Sequence, residues 1–125
     1  LYTQGYDLAK AKVAAALQMT AKGIPVIYYG EEIGFSGPNA FGEFNNNRYD
    51  MKFDNLTEEQ QAMLDHYKKL LAAREMYSET FATGNRTKVA GGNADGYLVF
   101  KRGSGEKAVY VALNTTDEAK TVSFE

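Results

Sequence analysis

Three hydrophobic patterns follow one another along the chain. Between residues 6 and 22, Ala9, Val13, Ala16, Leu17 and Thr20 recur at helical spacing in an alanine-rich segment, with Asp7 where an N-cap belongs. The pattern predicts a helix that buries this stripe of small side chains against a sheet. Gly23 suits the left-handed position that ends such a helix. A short run from Val26 to Tyr29 then keeps apolar side chains on both alternating faces, with Pro25 at its start. That predicts a strand buried on both sides, as in a parallel sheet. Residues 30 to 56 lose all periodicity and carry Gly30, Gly34, Gly37, Pro38, Gly42 and the run Asn45-Asn46-Asn47. So long an irregular segment is uncommon in a compact domain unless it serves function.

Periodicity returns at Thr57. Thr57 and Gln60 are spaced as a capping box, and Glu58 and Glu59 favour the positive end of a helix. Met63, Leu64, Tyr67, Leu70, Leu71 and Arg74 form the stripe expected to be buried, with Asp65 and Lys69 placed for an i,i+4 ion pair. From Phe81 the period falls to two. Thr87–Ala90, Tyr97–Lys101, Lys107–Leu113 and Lys120–Phe124 read as antiparallel strands, joined at Gly91-Gly92-Asn93, Gly103-Ser104-Gly105 and Asn114-Thr115-Thr116-Asp117. The boundary between the two regimes falls between Tyr77 and Phe81. The residues alone therefore define an α+β chain: a helix–strand–helix unit followed by antiparallel strands.

Composition narrows the function classes. Fourteen basic and 16 acidic residues give a net charge of −2, which removes the electrostatic case for nucleic acid or an anionic membrane. No apolar run approaches the roughly 18 residues of a spanning helix. With no cysteine, disulfides and thiolate metal sites are excluded, and the compartment stays open among secreted, periplasmic and cytoplasmic. No signal-peptide pattern is present. His66 lies among Asp65, Lys68 and Lys69 without a second ligand at helical spacing and is expected to be a solvated surface histidine. The sequons at Asn55, Asn85 and Asn114 are expected to be coincidental.

The stretch Gly23-Ile24-Pro25-Val26-Ile27-Tyr28-Tyr29-Gly30-Glu31-Glu32-Ile33-Gly34 resembles the eighth barrel strand and following loop of the α-amylase family, glycoside hydrolase family 13. Asn47-Arg48-Tyr49-Asp50-Met51-Lys52-Phe53 resembles the same family's Asn-Arg-x-x-Met-x-Trp/Phe pattern, and Val-Tyr-Val-Ala-Leu-Asn at 109–114 looks like a central strand of its β-sandwich domain C. A complete (β/α)8 barrel takes about 250 residues. The resemblance thus implies the tail of an α/β TIM barrel in residues 1–79 (last helix, strand 8, active-site loop, helix 8), followed by antiparallel all-β strands of a partial domain C in 80–125.

The activity implied is retaining hydrolysis of α-1,4-glucosidic bonds in starch or maltooligosaccharides. That mechanism needs two carboxyl groups about 5–5.5 Å apart. In the family these acids, and a third, come from strands preceding this segment, the last within an Asn-His-Asp motif absent here. No catalytic residue is therefore expected in the chain, and no cofactor or metal site; calcium would be held in the parent by residues outside it. Glu31 and Glu32, read as neighbours on an extended strand, would point to opposite faces and are expected to be structural supports, as is Asp50. Arg48 is the candidate sugar-hydroxyl contact, since its planar fork suits vicinal hydroxyls or a carboxylate; the alternative is an ion pair to Asp50 or Glu43 that ties the loop. In the family its partner is an aspartate four residues earlier, where this chain has Phe44. Phe41, Phe44 and Tyr29 are the candidate aromatic surfaces for a sugar ring.

Other activities of the family, namely glucanotransferase, α-1,6-glucosidase and trehalose-forming chemistry, are the nearest alternatives. A non-catalytic carbohydrate-binding or structural fragment is the alternative from another class. The open strand edges lead to the expectation that the isolated chain dimerises or swaps.

Overall fold

The computed structural model describes residues 7–36 and 50–124. Helix α1 spans Leu8–Thr20, α2 Glu58–Met76 and the short α3 Ser78–Thr83. Strands β1 (Arg86–Gly92), β2 (Tyr97–Arg102) and β3 (Val109–Asn114) form a three-stranded antiparallel sheet in the order β1-β2-β3. The described residues divide into two compact units, one of 7–12, 26–36 and 50–69, the other of 13–25 and 70–124. Residues 79 and 80, where the resemblance implies the boundary, both lie in α3.

Both long helices start as their sequences dictate. The Asp7 carboxylate accepts from the amides of Ala9 (2.8 Å) and Lys10 (3.2 Å), and the Lys10 amide bond holds its pKa below the usual aspartate value. At α2 the capping box closes in both directions: Thr57 N donates to Gln60 Oε1 at 3.0 Å and Gln60 N to Thr57 Oγ1 at 3.2 Å. Asp65, however, accepts from Gln61 Nε2 at 2.9 Å and forms no ion pair with Lys69. An amide four residues earlier competes for the same oxygens.

The buried face of α1 is rotated from the expected stripe. Ala15, Met19 and Thr20 are buried, whereas Leu17 is 44% exposed and Ala9 is exposed. In so alanine-rich a helix many faces are apolar, and Met19, the largest flexible apolar side chain, takes the buried position. On α2, Met63 and Tyr67 are buried as the stripe requires, while Leu71 is 41% exposed. His66 is not a solvated surface group: its Nε2 donates to the Lys12 carbonyl at 2.9 Å, bridging α2 to α1 within the first unit.

Among the described residues, 24–29 are assigned to no strand and are not buried on both faces, in contrast to the expected doubly buried strand. Ile24 is 92% exposed and Val26 and Tyr28 are also exposed.

In the second unit, β2 pairs with β3 in regular register from Tyr97↔Asn114 to Arg102↔Val109. The β1–β2 ladder runs from Arg86↔Arg102 to Gly92↔Tyr97 and is interrupted by a bulge at Val89. Phe100, Val99 and Leu113 are buried in the sheet, and Phe81 of α3 is buried with them. The fourth expected strand, 120–124, forms no ladder; Phe124 stacks on Tyr110 of β3 instead, ring centroids 5.4 Å apart.

Arg102 is the residue whose place the pattern did not reveal. It is wholly buried, and its guanidinium donates to the carbonyls of Thr20, Phe81 (3.0 Å), Gly84 (2.8 Å) and, more weakly, Thr80 (3.4 Å). Its Nε has no partner. Burial lowers its pKa, with the nearby Arg74 and Arg86 charges adding to the effect.

Candidate functional site

The loop from Tyr28 to Phe35 is built by short-range hydrogen bonds. Glu31 N donates to the Tyr28 carbonyl at 2.9 Å, and Tyr28 N returns a bond to the Glu31 carboxylate at 2.8 Å. The Gly30 carbonyl accepts from Ile33 (3.2 Å) and Phe35 (2.8 Å). Gly30 holds φ 81°, and a Cβ there would lie 2.7 Å from the Phe35 Cβ, so only glycine fits on both counts.

Glu31–Ile33 forms a single 3₁₀ turn. The expectation that Glu31 and Glu32 alternate on an extended strand is thus corrected, since successive residues of a 3₁₀ turn are about 120° apart. The turn replaces the strand because Gly30 and Gly34 both take left-handed conformations that reverse the chain. The Glu31 carboxylate is engaged with backbone. Ile33 is buried, and Gly34 lies against Leu8 of α1 and Met63 of α2. Beneath the loop, Tyr67 is buried, and its hydroxyl pKa is pushed up to about 12, mainly by loss of solvent and then by the Glu31 and Glu32 charges.

Of the other site candidates, Tyr29 is 54% exposed beside exposed Tyr28, and Asp50 is exposed. Arg48, Phe41 and Phe44 lie outside the described residues. The structure therefore brings together Tyr28, Tyr29, Glu31 and Glu32, and adds Tyr67, which the helical stripe marked only as core. Among the described residues no cluster of three or more His, Asp or Glu could hold a metal ion, and no helix is long and apolar enough to cross a membrane.

A helix, an exposed tyrosine-bearing segment, a glycine-pivoted loop and a capped second helix, followed by an antiparallel sheet, is the order found where a (β/α)8 barrel passes into a β-domain. The comparisons agree. Residues 2–67 match the α-amylase catalytic domain, and the chain belongs to the α-amylase family. It is 30% identical over 118 residues to a cyclomaltodextrinase of Geobacillus thermopakistaniensis, a match covering 94% of this chain and 19% of that protein. The crystal structure of the α-amylase from H. orenii superposes with a TM-score of 0.65 at 28% identity, covering 89% of this chain and 26% of that one. A structure of AmyP in complex with maltose shares the fold at a TM-score of 0.67 and 18% identity, covering 87% of this chain and 24% of that one. The chain thus spans about a fifth to a quarter of the proteins it matches.

Proposed function

We propose that the chain is the part of an α-amylase-family retaining glycosidase that carries substrate contacts but not the catalytic carboxylates. The substrate class is α-1,4-glucan, either starch or maltooligosaccharide, and the cyclomaltodextrinase relative adds cyclic maltodextrins to the set worth testing. The observation that carries the reading is the loop after residues 24–29 in a segment matching the catalytic domain: it presents Tyr28 and Tyr29 to solvent and ties the Glu31 carboxylate into the turn. A carboxylate that accepts from a backbone amide organises the loop, which supports a structural rather than a catalytic role for Glu31. The acids of the double displacement then come from elsewhere in the parent, and Arg48 and the aromatic loop residues hold sugar.

The test is reducing-sugar release from soluble starch by the 125-residue chain, together with a maltoheptaose titration. The expected result is no turnover, with binding that weakens in Arg48→Ala. Turnover that survives repurification and disappears in Glu31→Gln or Asp50→Asn would overturn the assignment.

A further inference from the structure

An open groove of about 680 Å³ lies along residues 53–68 of the first unit, where the chain enters α2. Phe53 lines it with 85% of its surface exposed, and Leu56 and Leu64 line it as well. We propose that this groove, whose lining includes none of residues 28–35, is a glucan-binding site taking a short α-linked glucose chain with a sugar ring on Phe53 and hydroxyls on Gln61 and Asp65. The proposal rests on the α-glucan reading above and assigns that ligand a second place on the chain.

Other ligand classes fit the groove less well. Its charged lining is Asp54, Glu58 and Asp65 against Lys68, an excess of negative charge that disfavours phosphate or carboxylate ligands. The α2 N-terminus offers little to an anion, because its capping box already engages the Gln60 amide. No metal-holding cluster is present among the described residues. A purely apolar ligand would strip water from three carboxylates and a lysine without replacing their hydrogen bonds.

A glucose ring has an apolar C–H face and a rim of hydroxyls, and the groove offers both complements. Phe53 supplies the flat apolar surface. Gln61 Nε2 donates to Asp65 Oδ1 at 2.9 Å, which orients both side chains and leaves the Gln61 carbonyl oxygen and Asp65 Oδ2 as acceptors for sugar hydroxyls. Between Phe53 and α2, Asn55 holds φ 49°, the one non-glycine positive φ among the described residues. Asparagine takes this left-handed conformation readily, so it turns the chain into α2.

The experiment is an amide-resolved NMR titration of the 125-residue chain with maltoheptaose, with sucrose as control, in the wild type, Phe53→Ala, Gln61→Ala and Arg48→Ala. Saturable shifts at amides 53–68 are expected. Phe53→Ala should weaken them roughly tenfold, the size expected for loss of one aromatic contact, and Gln61→Ala by a smaller factor. Because Phe53 is exposed, its removal should leave the melting temperature unchanged. Shifts confined to residues 28–32 and 48, lost only in Arg48→Ala, would overturn this site while leaving the glucan reading intact. No shifts anywhere would overturn both, and equal shifts with sucrose would overturn a site built for glucan chains.

Discussion

Arg74 and Arg102 reach the same helix end from different elements. Arg74 on α2 donates to the carbonyls of Met19, Ala21 (3.2 Å) and Gly23, and Arg102 on β2 donates to the carbonyl of Thr20. The last carbonyls of a helix have no intrahelical donors and carry the negative end of its dipole, so cations are favoured there. Arg74 also lies over the Phe81 ring, 5.8 Å from its centroid. Two guanidinium groups thus replace the water that would otherwise hydrate the end of α1.

Replacing Arg102 should be the most costly single substitution in the second unit. Arg102→Met keeps volume but leaves the Thr20, Phe81 and Gly84 carbonyls without donors, and about 3 kcal/mol of stability should be lost. Arg102→Lys should lose roughly 2 kcal/mol, since one ammonium cannot span the same acceptors. Arg74→Ala, at a half-buried position, should lose about 1–2 kcal/mol. Urea denaturation midpoints at constant m-value provide the check; a Met variant within about 0.5 kcal/mol of the wild type would show that the buried network contributes no net stability.

Tyr67 should make the protein alkali-sensitive. Its folded pKa of about 12 lies above the ordinary value of 10.0, so the folded state keeps a proton that the unfolded state releases. The stabilisation is therefore fully present below pH 10 and is lost as pH rises through 12, by at most about 2.7 kcal/mol. Tyr67→Phe should flatten this part of the stability-versus-pH curve, measured as the difference between the two proteins from pH 9 to 12. Parallel curves would mean that Tyr67 ionises equally in both states.

We expect the isolated chain to self-associate through residues 24–29. Ile24, Val26 and Tyr28 present neighbouring exposed apolar side chains, and a clustered apolar surface of this kind recruits another chain. Light scattering after size exclusion should show a concentration-dependent mass. Ile24→Lys combined with Val26→Lys should shift it to monomer. A monomer at all concentrations in the wild type would refute the idea.

What the sequence revealed depended on how local the cause was. The capping box at Thr57 and Gln60 and the three sheet strands were legible because their determinants lie within a few residues of each other. The strand at 24–29 was not, since burial on both faces depends on neighbours distant in sequence. Leu98, Phe100 and Arg102 alternate onto one face of β2, so a buried arginine could have been suspected from its two apolar companions. Its acceptors could not, as they come from α1 and the α3 region. At the candidate site, the glycines flanking Glu31 and Glu32 signalled a reversal that the apolar run before them obscured.

The connection between β1 and β2 is pinned by a distant part of the chain. Thr115 N donates to the Gly96 carbonyl at 2.9 Å, Lys120 Nζ to the Asp95 carbonyl at 2.6 Å, and a Cβ on Gly96 would clash with Thr116 Cγ2. At the other end of the sheet, a Cβ on Gly105 would meet nothing within 4 Å. The two hairpins therefore differ in their capacity to accept new sequence: an epitope tag or a grafted module spliced at Ser104-Gly105 has open space to occupy, whereas the same insertion at Asp95-Gly96 would pry the following segment off the sheet.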